Sequence, residues 1–344
     1  MNDMKSPVNA AKPSLPAGKL PASLLQELLP LLPAGQRVVL GPAIGEDAAA
    51  LAMPDCYLVV KTDPITFATD EIGWYAVQVC ANDIATTGAT PLWFLATILL
   101  PENQTTPALA RHIFEQIGFA CRTLEIGVVG GHTEITVGLD RPVVVGCMLG
   151  EVASDSLVRT GGARPGDAIL LTKGAPIEAT AIIAREKRRE LTPHFSAEFL
   201  DECANFLYRP GISVVRDAQI ATQVGGITSM HDPTEGGLLT ALWELAEASQ
   251  CALEVSLYRA PEPWLPQGVA LCQFFGLDPA ASIASGALLI TVIPDRVTAL
   301  IEAFRQTDVP VFHIGQVVQG SPAVYDTVKG SLPRPVTDEI ARLF

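Results

Sequence analysis

No run of about 18 apolar residues occurs in this chain, although 49% of its 344 residues are hydrophobic. The richest stretch, Leu92 to Leu100, is only strand-sized, so no membrane-spanning helix is expected. Met1 to Lys19 lacks an apolar core ahead of its prolines and glycine, which argues against a signal peptide. Charged residues are sparse at 17%, with a net charge of -14. The sole basic run is Lys187-Arg188-Arg189, too little for a nucleic-acid partner, which needs clustered Lys and Arg. The seven cysteines are odd in number and form no C-x-x-C pair, a usage that fits a reducing cytoplasm better than a disulfide framework. No H-x-x-x-H, G-x-S-x-G, Walker A, kinase glycine loop or dinucleotide fingerprint is present. Nor is there a repeat of 20 to 50 residues.

What is present suits two domains of ordinary size. Residues 1–17, with Pro7, Pro13 and Pro16, read as a loose tail. Residues 18–155 read as an α+β unit, with strands expected at 38–40, 57–60, 93–100, 128–129 and 142–149 and helices near 74–86 and 107–125. A turn-rich crossing, Arg159 to Asp167, leads into a second α/β unit over 156–330. Its expected strands are 168–172, 227–230, 253–257, 287–293 and 313–318; its helices are 176–187, 197–206, 213–223, 238–248 and 297–304. Residues 331–344 show no strong pattern.

Acidic residues recur where these elements end. Asp83 follows Asn82 late in a helix whose apolar positions Trp74, Val77, Cys80, Ala81 and Ile84 turn one face inward. Gly88 and Pro91 then stop that helix. A partly buried carboxylate there needs a counter-charge. Asp47 lies between glycines and a strand. Asp63, held extended by Pro64, closes another strand beside Lys61. His132 and Glu134 follow Gly130 and Gly131 in an expected loop. Asp232 precedes Thr234, Gly236 and Gly237 at a helix start, where backbone N–H groups favour an anion such as phosphate. Each motif alone is equally compatible with a turn or a loop-stabilising hydrogen bond. If they converge, they make an oxygen-rich site suited to Mg²⁺ and phosphate, with catalysis by positioning and charge neutralisation.

The ordered set GPAIGEDAAA (41–50), KTDPITF (61–67), NDIATTGATP (82–91), GGHTEIT (130–136) and HDPTEGGLL (231–239) resembles the aminoimidazole ribonucleotide synthetase superfamily over roughly residues 18–320. Within it the chain is similar to the hydrogenase maturation factor HypE and HypE-like proteins. The resemblance implies a two-domain α/β (α+β) PurM-like fold, with N-terminal sheets joined into a barrel in a homodimer. It implies ATP and Mg²⁺ in the cleft between the domains. Asp47, Asp63, Asp83 and Asp232 then match metal or phosphate carboxylates. Asp83, His132 and Glu134 are catalytic candidates. Lys19, Lys61, Asn82, Gly130, Gly131, Thr133, Thr234, Gly236 and Gly237 join Asp47, Asp63 and Asp232 as nucleotide-binding candidates.

Two departures follow from the likeness. HypE proteins end in a cysteine-bearing tail, whereas these residues close as Glu339 to Phe344, so the cysteine-borne carbamoyl reaction is not the default expectation. His132 stands where kinase relatives carry Asp. The expected function is an ATP- and Mg²⁺-dependent enzyme that activates an oxygen of a small-molecule or carbamoyl-type substrate. The alternative is a nucleotide-binding accessory protein in metallocofactor assembly, with a maturation-factor partner.

Overall fold

The structure, a computed structural model, describes residues 20, 22–33, 35–43, 46–65, 70–259 and 263–344. The chain divides into two compact units, Met1–Pro33 and Ala34–Phe344. In the first, helix α1 (Ala22–Leu28) is followed by a 3-10 turn, Leu29–Leu31. Pro30, which has no N–H, bars a longer α-helix there. Lys19 lies outside the described residues, as do Ile44 and Gly45 of the first acidic motif.

The second unit holds two mixed sheets. In the first half, β1 (Val38–Leu40), β2 (Ala49–Ala52), β3 (Tyr57–Ile65), β4 (Thr90–Pro101), β5 (Gly127–Thr136) and β6 (Val143–Val152) are ordered β1-β2-β3-β6-β4-β5. Neighbours are antiparallel except β4 and β5. Buried and half-buried residues alternate along β4 and β6, the period-two signature of a sheet with unequal faces. Helix α2 (Ile72–Thr86) packs on β3 and β6, and α3 (Pro107–Thr123) packs on α2. Thr106 caps α3 by accepting from the Leu109 N–H at 3.1 Å, with Pro107 in the first turn, where its missing donor costs nothing.

Every residue of α2 except Val79 is buried. The sequence pattern expects one inward face; the helix is enclosed because it also meets α7 (Val215–Val224) and β8 (Ile227–His231) of the second half. It lies close to the sheet because β6 carries glycine beneath it. A Cβ at Gly146 would come within 2.6 Å of Cys80 Sγ, and one at Gly150 within 2.4 Å of Ile84 Cγ2. Gly88, at φ 79°, ends the helix as expected, in the left-handed conformation that glycine adopts at no steric cost.

Two expectations are corrected. The first sheet is open in the single chain: among the described residues β1 and β5 each pair with one strand, so the sheet does not close into a barrel. Residues 130–136 are not a loop but most of strand β5, exposed along nearly its whole length. The glycines there serve a close approach rather than a turn. A Cβ on Gly131 would come within 2.2 Å of the Ala96 carbonyl oxygen on β4.

In the second half, β7 (Ala168–Thr172), β8, β9 (Ala252–Val255), β10 (Leu289–Val292), β11 (Val311–Val318), β12 (Ala323–Asp326) and β13 (Gly330–Ser331) are ordered β13-β12-β9-β11-β7-β10-β8. Only the β12–β9 pair is parallel. The continuous apolar runs of β7 and β10 are wholly buried, because helices pack against the sheet. The helices of this half are α4 (Ile177–Glu186), α5 (Arg188–Leu191), α6 (Ala197–Ala204), α7, α8 (Gly237–Ser249), α9 (Pro266–Phe274) and α10 (Val297–Arg305), of which α5, α6 and α9 pack on α4. α9 and the 3-10 turn Glu339–Leu343 escape the sequence pattern. No helix among the described residues is long and apolar enough to cross a membrane, and all seven cysteines are free thiols.

Candidate functional site

Successive side chains of a strand point to opposite faces, so Lys61 and Asp63, two apart on β3, share one face. Over that face comes the last turn of α2, which brings Asp83 within 3.1 Å of the Lys61 ammonium; Asp63 is 3.5 Å from it. Lys61 and Asp83 are largely enclosed, while about a third of the Asp63 side chain is exposed. Burial opposes the charge on Lys61, but the fields of Asp83, Asp63 and Asp47 outweigh it and hold the amine protonated. Asp83 is pushed the other way. Burial lifts its pKa well above the carboxylate range, Lys61 opposes this, and Asp232, Asp63 and Asp47 add to the rise. The pair therefore shares a site with more carboxylate than one ammonium can balance.

The second half delivers the remaining charges from the end of β8. His231 Nδ1 lies 2.9 Å from Asp47 Oδ2, and its Nε2 lies 2.9 Å from Glu244 Oε2 on α8. Between them, the two carboxylates hold the imidazole above its ordinary pKa despite its burial. Arg334 backs Glu244 at 3.9 Å and Glu247 at 2.5 Å. Asp232, 1% exposed, has neither carboxylate oxygen hydrogen-bonded. Burial and the field of Asp47 raise its pKa, against His231 and Lys61. One ligand atom each from Asp47, His231 and Asp232 lie within 4.8 Å of one another. Beside them Arg159 reaches Glu46 at 3.3 Å.

The structure thus brings together Asp47, Lys61, Asp63, Asp83 and Asp232 from four separate stretches. Asn82 is close by in sequence, but both ends of its amide are engaged elsewhere. It donates to the Ile212 carbonyl at 2.8 Å and accepts from the Val214 N–H at 2.8 Å, fastening α2 to the second half. His132 and Glu134 stand apart, exposed and 3.1 Å from each other. Asp63, Gly146, Ala96 and Gly131 form one row across the sheet, so β5 lies three strand spacings, about 14 Å, from β3. Gly130, Gly131 and Thr133 share that exposed strand.

The glycine turn after Asp232 holds a different surprise. The Gly236 N–H, expected to meet a phosphate, donates at 2.6 Å to Asp338 from the C-terminal segment. Asp338 also accepts from the Ile340 N–H at 2.8 Å. Gly236 and Gly237 adopt φ 77° and 64°, and the Thr234 carbonyl accepts from the Gly237 N–H at 2.9 Å. Close by in the field, Glu178 is buried, and burial pushes its pKa up to about 7 against its hydrogen bonds to Ser285.

His231, Glu244, Asp338 and Glu178 were not among the residues the sequence singled out. Only His231 carried a signal, its place beside Asp232. Asp338 lies 102 residues from its partner, a separation that no local pattern reports.

Comparison with known proteins places the chain in a family. Residues 45–152 match the N-terminal domain of AIR synthase related proteins, and residues 164–326 match the C-terminal domain. The chain is 32% identical over 271 residues to the carbamoyl dehydratase HypE of Cupriavidus necator, covering 76% of this chain and 73% of that protein. A crystal structure of HypE with ATP superposes with a TM-score of 0.69 at 25% identity, covering 88% of this chain and 92% of that one. A HypE–HypF complex superposes at 0.73 and 21% identity, covering 91% of this chain and 100% of that one, a likeness of fold.

Proposed function

Since the chain belongs to the AIR synthase related protein family, we propose that it is an ATP- and Mg²⁺-dependent enzyme that activates an oxygen of a carbamoyl-type or other small-molecule substrate. The observation that carries this reading is the convergence of four carboxylates, Asp47, Asp63, Asp83 and Asp232, on one ammonium, Lys61. A surplus of buried negative charge is unstable by itself and calls for a polycation or a cation–phosphate complex. Asp232 makes the point most directly, since both its oxygens are buried without a partner. Asp47, Asp63, Asp83 and Asp232 are the residues that would hold Mg²⁺, which would supply charge neutralisation for phosphoryl transfer.

The residues of the chain do the rest. Lys61 stays protonated and supplies a fixed positive charge beside Asp83 and Asp63. Asp232 and Asp47 meet from opposite halves, so a phosphate chain held between them would be oriented by both. Asn82 fixes the last turn of α2 against the second half, and so sets the position of Asp83. Carboxylates that hold a cation support positioning plus charge neutralisation.

HypE's capture with HypF supports a maturation-factor partner for this chain. The exposed edge of β5, with Val128, Val129 and Ile135 on the surface, supports a homodimer in which that edge pairs and the open sheet is completed. In that arrangement His132 and Glu134 would face the other copy. The reading also includes a cytoplasmic location, which the seven free thiols favour.

Isothermal titration of ATP with and without Mg²⁺, on the wild type and on Asp83→Ala, tests the reading. Saturable Mg²⁺-dependent binding lost in the variant is expected. If the wild type binds no nucleotide, the reading fails.

A further inference from the structure

Lys173 follows β7, turned there by a backbone φ of 59°, and its side chain is only 6% exposed. Its ammonium lies 3.1 Å from Asp217 Oδ2 in the first turn of α7, and the Thr172 hydroxyl donates to that same oxygen at 2.5 Å. A lysine that only tied β7 to α7 would seat itself on the carboxylate. The shorter contact is instead the Ser213 carbonyl oxygen, to which Lys173 donates at 2.6 Å. Burial lowers the pKa of Lys173 against the pull of Asp217, so one carboxylate does not fully offset the enclosed charge.

The Ser213 carbonyl and the Val214 N–H are the two ends of one planar peptide group. At the far edge of that plane the Val214 N–H donates at 2.8 Å to Asn82 Oδ1, while the Asn82 amide donates at 2.8 Å to the Ile212 carbonyl. Lys173 and Asn82 therefore grip the same peptide from opposite edges, one from the second half and one from late in α2. A cation on the carbonyl oxygen draws charge through the amide and makes its N–H a stronger donor. The loop has little room to evade this grip. A Cβ on Gly286 would come within 2.7 Å of the Gly211 carbonyl oxygen and 3.0 Å of Ile212 Cα, so the residues just before Ser213 are pressed against a second segment. Asn82 is wholly buried, and Asp83, next along the helix, is the carboxylate 3.1 Å from Lys61.

We propose that Lys173 is a positioning residue: through the Ser213–Val214 peptide its ammonium strengthens the hold on Asn82, and so fixes Asp83 in the nucleotide site. The inference deepens the proposed function and rests on it for the last step alone. The hold on Asn82 stands or falls without nucleotide. Asp83 meets the ligand, and Lys173 acts on it through one peptide bond and one amide side chain.

The test uses the full chain. One HNCO nuclear magnetic resonance spectrum correlates the Ser213 carbonyl carbon with the Val214 amide, so both ends of the shared peptide are read together. Wild type and Lys173→Met are compared, with circular dichroism checking the fold; Lys173→Gln, which keeps a donor without the charge, replaces a Met variant that fails to fold. Mg²⁺–ATP is titrated calorimetrically into the same proteins and into the pair carrying Asn82→Ala. In the wild type the Val214 amide proton and the Ser213 carbonyl carbon should both lie downfield of unstructured values, and both should move upfield in the folded variant. Mg²⁺–ATP binding should weaken about tenfold in Lys173→Met, yet change by less than about twofold when Asn82→Ala is already present, because residues that act through one another are not additive. A Val214 proton that stays in place while the Ser213 carbon moves, an unchanged nucleotide affinity in the folded variant, or losses that multiply in the double variant would each overturn the proposal. A wild-type Val214 amide at the unstructured position would overturn it without any variant. If the wild type binds no nucleotide, the proposed function fails, and the spectrum alone decides whether Lys173 holds Asn82.

Discussion

Replacing Lys61 with Met removes the ammonium but keeps most of the apolar stem, so it isolates the charge. In the native chain that ammonium stands 3.1 Å from Asp83 and 3.5 Å from Asp63. At an effective dielectric of about 20, a unit pair at the shorter distance is worth about 5 kcal/mol before desolvation. Breaking one member out of a buried pair costs about 3–5 kcal/mol when the other stays charged. Asp83, 3% exposed, has a way out, because it can take up a proton. Its pKa is already raised by burial and by Asp232, Asp63 and Asp47, and without Lys61 it rises further. A carboxyl whose folded pKa exceeds its unfolded value stabilises fully below the unfolded pKa and loses that contribution as pH rises through the folded one. Lys61→Met should therefore lose about 3 kcal/mol at pH 8 and distinctly less at pH 5.5. Urea unfolding at both pH values measures this, with m-values checked for constancy. Adding Asp83→Asn should restore much of the loss at pH 8, the coupling being the sign of a direct pair. An equal loss at both pH values, or a double variant no more stable than Lys61→Met, would refute the reasoning.

Three further outcomes are expected. Asn82→Ala strands the Ile212 carbonyl and the Val214 N–H in a buried seam and should cost about 2–6 kcal/mol in urea unfolding, at about 1–3 kcal/mol per orphaned group; a change under about 0.5 kcal/mol would mean the seam is wet. Gly150→Ala forces a Cβ to within 2.5 Å of the Thr90 carbonyl oxygen and 2.4 Å of Ile84 Cγ2, and overpacking there should lower stability by about 1–3 kcal/mol, whereas Gly166→Ala, with open space around it, tests only the cost of its positive φ. Glu178 has a pKa raised to about 7 by burial, so its contribution is full below about 4.5 and is lost as pH rises through 7; Glu178→Gln should flatten the stability profile between those values, by a total on the order of 3 kcal/mol, and a wild type equally stable at pH 5 and pH 8 would contradict this.

Much of the frame was legible because it rests on local rules. The helix ending at Gly88 follows from a glycine that takes a left-handed φ and a proline three residues on. The strand at Ala168–Thr172 was bounded correctly, since four apolar residues and a threonine between turn signals leave little freedom. Asp47, Asp63, Asp83 and Asp232 stand out in the sequence because short acidic residues beside glycine or proline at element ends are conspicuous. The misses have a common cause in distance along the chain. Asn82 looked like a site residue, yet its partners lie 130 and 132 residues away, and nothing nearby discloses that its amide is already satisfied. Residues 130–136 looked like a loop because two glycines usually mean a turn, whereas here they let β5 lie flat against Ala96. Glu244 stands 13 residues beyond His231 on a largely apolar helix, where an acid reads as surface.

The carboxylate of Asp338 seated on the Gly236 amide makes the chain its own rival. An anion that approaches this N–H competes with a group tethered beside it, whose effective concentration far exceeds that of any small ion in solution. Weakly held anions, inorganic phosphate among them, should be turned away, and a ligand would gain the amide only if its other contacts repaid the displacement. Removing the rival, as in Asp338→Ala, should make the loop responsive to millimolar phosphate in a thermal-shift assay where the wild type is not. The segment that carries Asp338 thus sets an admission threshold for the site.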